Sequence, residues 1–191
     1  DLPIALGILA ASGQVPLEAL HECEFLGELG LTGELRAVDG VLPAALAAAR
    51  AGRKLVVPLA NGAEAALAKD LEVRTARTLL EVCALLNGSK ELPLAVAPPV
   101  VHERGPDMTD VRGQAHARRA LEIAAAGGHH LLLIGPPGCG KTLLASRLPG
   151  LLPEASEAEA LEAAAIASVS GRGLDPARWR ERPLRAPHHT A

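Results

Sequence analysis

Aromatic residues are almost absent: the 191-residue chain has one Phe, Phe25, one Trp, Trp179, and no Tyr. That excludes a row of aromatic platforms on which single-stranded bases would stack. Cysteine is also scarce. Cys23, Cys83 and Cys139 stand far apart with no Cys-x-x-Cys pair, so the spacing of neither a zinc site nor a disulfide framework is present, and a reducing cytoplasm is the expected compartment. No apolar run approaches the ~20 residues that span a bilayer, and no charged stretch leading into an apolar one opens the chain, so no membrane segment or secretion signal is expected. A net charge of −3 leaves no whole-chain footprint of a nucleic-acid binder. The first residue is Asp1 rather than Met, inside what reads as a structured segment, which suggests an internal piece of a longer protein.

What is abundant is alanine and leucine. Apolar residues make up 49% of the chain, enough for one large core or two small ones. Residues 1–90 alternate short helical and strand-like stretches, the pattern of an α/β or α+β domain. Helices are expected at Ile4–Ala11, Pro43–Ala51, a short one after Asn61-Gly62, and Thr78–Leu86; strands are expected at Lys54–Val57 and Leu71–Arg74. Leu31-Thr32-Gly33 reads as a hairpin turn between Glu24–Gly30 and Glu34–Val38. Residues 91–108 hold Pro93, Pro98, Pro99 and Pro106 and read as a linker. Residues 109–191 form the second domain, with helices at Asp110–Ala126, from Lys141 to about Leu148, and at Glu157–Val169, and a buried strand at 130–134.

That strand would feed the most informative motif. Gly135-Pro136-Pro137-Gly138-Cys139-Gly140-Lys141-Thr142 fits Gly-x-x-x-x-Gly-Lys-Ser/Thr, a phosphate-binding loop. Small residues let successive backbone N–H groups turn around the phosphates of ATP. Lys141 adds an ammonium and the Thr142 hydroxyl can ligate Mg²⁺. The helix starting near Lys141 would direct its N-terminal partial charge at the same phosphates.

The run Asp110-Val111-Arg112-Gly113-Gln114 with Ala117 and Ala120-Leu121, followed by this loop, resembles the opening of an AAA+ ATPase module. Arg182-Pro183-Leu184-Arg185-Ala186-Pro187-His188-His189-Thr190 resembles a signature of the magnesium-chelatase-like branch. Asp1-Leu2-Pro3-Ile4-Ala5-Leu6-Gly7 and Leu31-Thr32-Gly33-Glu34-Leu35-Arg36 precede that opening in the order seen in the ComM/YifB family, so the resemblance spans essentially the whole chain. It implies an α/β protein: a Lon-protease-like α+β N-terminal domain at 1–90 and the first part of a P-loop AAA+ module with a parallel sheet at 109–191. It also implies Val111 against the adenine, a homo-hexameric ring, ATP and Mg²⁺ as cofactors, and a DNA partner, as in a helicase promoting branch migration during natural transformation.

Several residues depart from what hydrolysis and proteolysis need. After Thr142 the only Asp is Asp175, with no apolar strand before it, so a Walker B carboxylate is missing, as is an arginine finger. The loop is therefore expected to bind ATP without a catalytic residue in this stretch. Where Lon carries a Ser nucleophile this chain has Ile4, and near the position of its Lys stand Leu42 and Pro43. Aliphatic side chains neither attack a carbonyl nor accept a proton, so the first domain is expected to be catalytically silent. A magnesium-chelatase-type motor and a non-hydrolysing nucleotide-binding or interaction module are the alternatives.

Other residues have plainer roles. The pairs His129-His130 and His188-His189 read as strand-edge and contact residues rather than metal ligands. Arg172, Arg178, Arg180, Arg182 and Arg185, with only Asp175 and Glu181 among them, form a candidate surface for DNA phosphate or a neighbouring subunit. Arg112, Arg118 and Arg119 decorate the helix before the loop.

Overall fold

A computed structural model describes residues 1–101, 105–171 and 173–187. The linker residues 102–104, Arg172 and His188-His189-Thr190 lie outside the described residues. The chain is mixed α/β and divides into two compact units, Asp1–Val100 with Leu161–Trp179, and Val101–Ala160 with the segment from Arg180 onward.

The first unit is built on a parallel sheet. Helices α1 (Leu2–Ala11) and α2 (Leu17–Leu20) lead into β1 (Cys23–Phe25), the two-stranded hairpin β2 (Glu28–Leu29) and β3 (Leu35–Arg36), and then α3 (Val41–Arg50). Next come β4 (Lys54–Pro58), α4 (Gly62–Ala65), β5 (Val73–Ala76) and α5 (Leu79–Leu86). The sheet order is β1-β4-β5, all parallel, with Phe25 opposite Val56 and Val56 opposite Arg74. The middle strand reads Leu55-Val56-Val57 without polar interruption because both of its faces are covered. Val56 packs with Leu2, Leu6, Phe25, Ala76 and Val82; Leu55 and Val57 pack with Val41, Ala45, Ala65 and Val73. Helices α1 and α5 thus cover one face and α3 and α4 the other.

The Pro-rich stretch expected to be a linker begins as part of this unit. Thr75 N–H donates to Pro93 O (2.9 Å) and Ala95 N–H to Val73 O (2.9 Å), so residues 93–95 run along the edge of β5. Among the described residues the one buried amide side chain, Asn61, is satisfied by both backbone groups of Val38, each at 3.0 Å.

The second unit holds α6 (Ala115–Gly127), α7 (Lys141–Ala145), α8 (Leu148–Leu151) and the first turn of α9 (Glu157–Val169). From Leu161 onward α9 groups with the first unit, where Ser168 Oγ donates to Glu64 (2.6 Å) and Gly40 N–H donates to Ser168 O (3.1 Å).

Two expectations are corrected in the second unit. The parallel sheet belongs to the first unit, and Leu131–Ile134 is neither strand nor buried: Leu132 is 80% and Ile134 86% exposed, and only Leu133 packs on the core. A strand exists through its neighbours' hydrogen bonds, and among the described residues none pairs with 130–134. The helix expected from Asp110 begins only at Ala115, because Gly113 (φ 70°) and Gln114 (φ 51°) are left-handed and cannot continue a right-handed helix.

Candidate phosphate-binding site

The loop is placed by a small core. Met108, Val111, Leu121 and Leu144 are buried together, with Ala117, Leu133, Leu148 and Leu151 around them. Leu133 enters this cluster just before the loop and Leu144 just after it, so both ends of Gly135–Thr142 are pinned while the loop itself faces solvent. Arg147 ties the same region together through Asp110 (3.0 Å).

Within the loop, glycine is required for two different reasons. Gly138 (φ 80°) and Gly140 (φ 86°) hold left-handed backbone that residues with a Cβ avoid. At Gly135 a Cβ would sit 2.9 Å from Cys139 Sγ, closer than packing allows. Gly135 to Gly138 are exposed, and among the described residues no carboxylate is recorded hydrogen-bonded to the loop. Lys141 Nζ folds back to donate to Gly135 O and Pro136 O, both at 2.8 Å, and lies 3.6 Å from Cys139 Sγ. Pro136 and Pro137 are exposed and stiffen the first half of the turn. Thr142, in the first turn of α7, is exposed. A turn shaped by left-handed glycines, the Lys141 ammonium and the exposed Thr142 make a donor set suited to a polyphosphate with its Mg²⁺.

The remaining candidates are distributed differently. Val111, expected against the adenine, is 3% exposed, and its side chain is used up in the Met108–Leu121–Leu144 cluster, leaving little surface for a base. Asp175 accepts from Ala177 N–H (2.9 Å) in a turn rather than ending a strand. Two of the C-terminal arginines are engaged within the chain: Arg180 with Glu157 (3.1 Å), and Arg182 with Pro153 O (2.7 Å) and Glu159 (3.5 Å). Arg119 pairs with Glu122 (3.0 Å), and Arg118 reaches Val111 O (3.4 Å). A nucleic-acid phosphate would have to compete with those carboxylates. His129 N–H closes the end of α6 on Ala124 O (2.9 Å), and His130 is exposed. Among the described residues no cluster of three His, Cys, Asp or Glu could hold a metal ion. Sequence reasoning missed Gln114, whose side chain touches the loop at Cys139 O (3.0 Å); no local sequence signal marks a contact that depends on left-handed backbone at Gly113 and Gln114.

Known proteins match along the whole chain. A family model described as magnesium chelatase, subunit ChlI, matches residues 107–191, and another, subunit ChlI of Mg-chelatase, matches residues 1–61. Competence protein ComM of Haemophilus influenzae is 52% identical over 197 residues, which cover 100% of this chain and 39% of that protein. YifB of Salmonella typhimurium is 50% identical over 195 residues, 100% of this chain and 38% of that protein. The chain belongs to the ComM/YifB family. This is a magnesium-chelatase-like family of AAA+-type ATPases, for which dependence on nucleotide and Mg²⁺ is general. The chain spans about two fifths of the length of these ComM and YifB relatives. An archaeal Lon protease of Archaeoglobus fulgidus is 48% identical over 44 residues, 23% of this chain and 7% of that protein.

Proposed function

We propose that this chain is the ATP-binding portion of a DNA-remodelling AAA+ ATPase. The observation that carries the reading is the glycine-shaped loop with Lys141 and Thr142, in a chain half identical to a competence protein. Gly135, Gly138 and Gly140 supply the turn that presents backbone N–H groups, Lys141 neutralises phosphate charge, and Thr142 ligates Mg²⁺. When bound, ATP·Mg²⁺ supplies the energy-rich phosphoryl group. The carboxylate that polarises water and the arginine finger come from outside the residues present here. The working protein is a cytoplasmic homo-hexamer acting on DNA, and its first unit is a Lon-like domain without protease chemistry, as Ile4 and Leu42 require. Among the described residues no helix is long and apolar enough to cross a membrane.

The test is ATP-driven unwinding of forked DNA by the full-length protein, at stated salt, beside a Lys141→Ala control. Unwinding that disappears in the control supports the DNA-motor reading. ATP turnover with no effect on DNA favours the second reading, a chelatase-type motor, which the chelatase descriptions of both matching family models support.

A further inference from the structure

Gln114 is the one described non-glycine residue with left-handed backbone. A residue with a Cβ is disfavoured there and glycine would be relaxed. It occupies the N-cap of α6, where a side chain ordinarily accepts from the first N–H groups of the helix, yet it makes no such bond. Its Nε2 instead donates to Cys139 O at 3.0 Å, 25 residues further along the chain. Its backbone is held in turn, since Arg118 N–H donates to Gln114 O (3.0 Å). On the loop side the fit is close: a Cβ on Gly140 would lie 3.1 Å from Gln114 Nε2. A trans peptide is planar, with its C=O and the following N–H pointing in opposite directions. Drawing the Cys139 carbonyl toward Gln114 therefore turns the Gly140 N–H away from it.

We propose that Gln114 is a positioning residue for the phosphate loop, fixing the Cys139–Gly140 peptide so that the Gly140 N–H is preset for an incoming phosphate. This rests on the nucleotide reading above. Glycine would relax the strained backbone at Gln114 but would have no side-chain amide to offer.

The test is equilibrium binding of a fluorescent ATP analogue with Mg²⁺ to the full-length protein, unaltered and with Gln114→Gly, Gln114→Glu or Lys141→Ala. Glycine suits the backbone and removes the amide. The melting temperature should hold or rise while affinity falls about 2- to 10-fold, the range of one net hydrogen bond. Glutamate has the same shape but, ionised, cannot donate. Its deficit relative to the unaltered protein at the same pH should narrow from about pH 6 toward about pH 4 as the carboxyl regains its proton. Repulsion of phosphate by an added carboxylate would give the same recovery, so the deficit in the uncharged Gln114→Gly is what assigns the loss to the missing donor. Unchanged affinity in Gln114→Gly, or a Gln114→Glu deficit that stays constant with pH, overturns the positioning role and leaves the nucleotide reading standing if Lys141→Ala abolishes binding. No binding by the unaltered protein overturns both.

Discussion

Lys141 makes two bonds to neutral carbonyls, Gly135 O and Pro136 O, and an arriving phosphate competes with both for the same ammonium. The carbonyls carry no net charge and phosphate does, so the ammonium gains an ion pair in the exchange and the exchange favours the ligand. Lys141→Ala should therefore lower nucleotide affinity by about tenfold or more while leaving the melting temperature nearly unchanged, since only exposed loop bonds are lost; titration calorimetry beside thermal melting checks both. Gly140→Ala should weaken binding and cost about 1–2 kcal/mol of stability, because the left-handed backbone and the Gln114 amide both oppose a Cβ. Cys139, next to Gly140 in the loop, offers a chemical probe. A bulky thiol reagent attached there should block nucleotide binding, and unchanged affinity after mass-confirmed modification would refute it. Cys23 and Cys83 compete poorly for such a reagent near neutral pH, because burial raises the pKa of both thiols and keeps them protonated.

At the scale of elements, α5 shows how a cap becomes a pH dependence. Thr78 Oγ1 accepts from Glu81 N–H (3.3 Å), while the Glu81 carboxylate accepts from Arg77 N–H (2.7 Å) and pairs with Lys90 (3.1 Å). The Arg77 N–H and then Lys90 hold the Glu81 pKa below its usual value. A folded-state pKa below the unfolded one gives stability that is complete above the unfolded value, about 4.3, and is lost as pH falls through the folded one. The stability gap between the unaltered protein and Glu81→Gln should therefore shrink as pH falls below about 4, read from urea melts across that range. Thr78→Ala should cost about 1 kcal/mol at any pH. This helix was legible in the sequence because Asn87-Gly88 closes the apolar run that begins at Thr78, though the cap itself was not read, and Leu55-Val56-Val57 was legible because a doubly covered strand is apolar throughout. Leu131–Ile134 misled for the same reason: its residues suit a strand, but a strand depends on partners that local pattern does not supply. The loop residues of the candidate site were readable one by one. Gln114 was not, since its contact closes across 25 residues and depends on a backbone angle.

For the molecule as a whole, the first unit is discontinuous, and its packing is completed only by residues that follow the second unit's loop. Glu64 Oε1 accepts from both Leu42 N–H (3.1 Å) and Ser168 Oγ, 104 residues later in the chain. Ser168 is 4% exposed, so Ser168→Ala removes a buried bond to a charged group and should cost about 1.5–3 kcal/mol in chemical denaturation. Ending the chain near Leu152 should lower the melting temperature of the first unit further, because Gly40 also loses its acceptor on Ser168. The apolar stretch Leu131–Ile134 has a consequence for handling. Open backbone flanked by exposed leucine and isoleucine is a template on which a second chain can add a strand. Residues 1–191 produced alone should scatter light increasingly with concentration, and Leu132→Lys, which charges a side chain that already faces water, should keep them in solution.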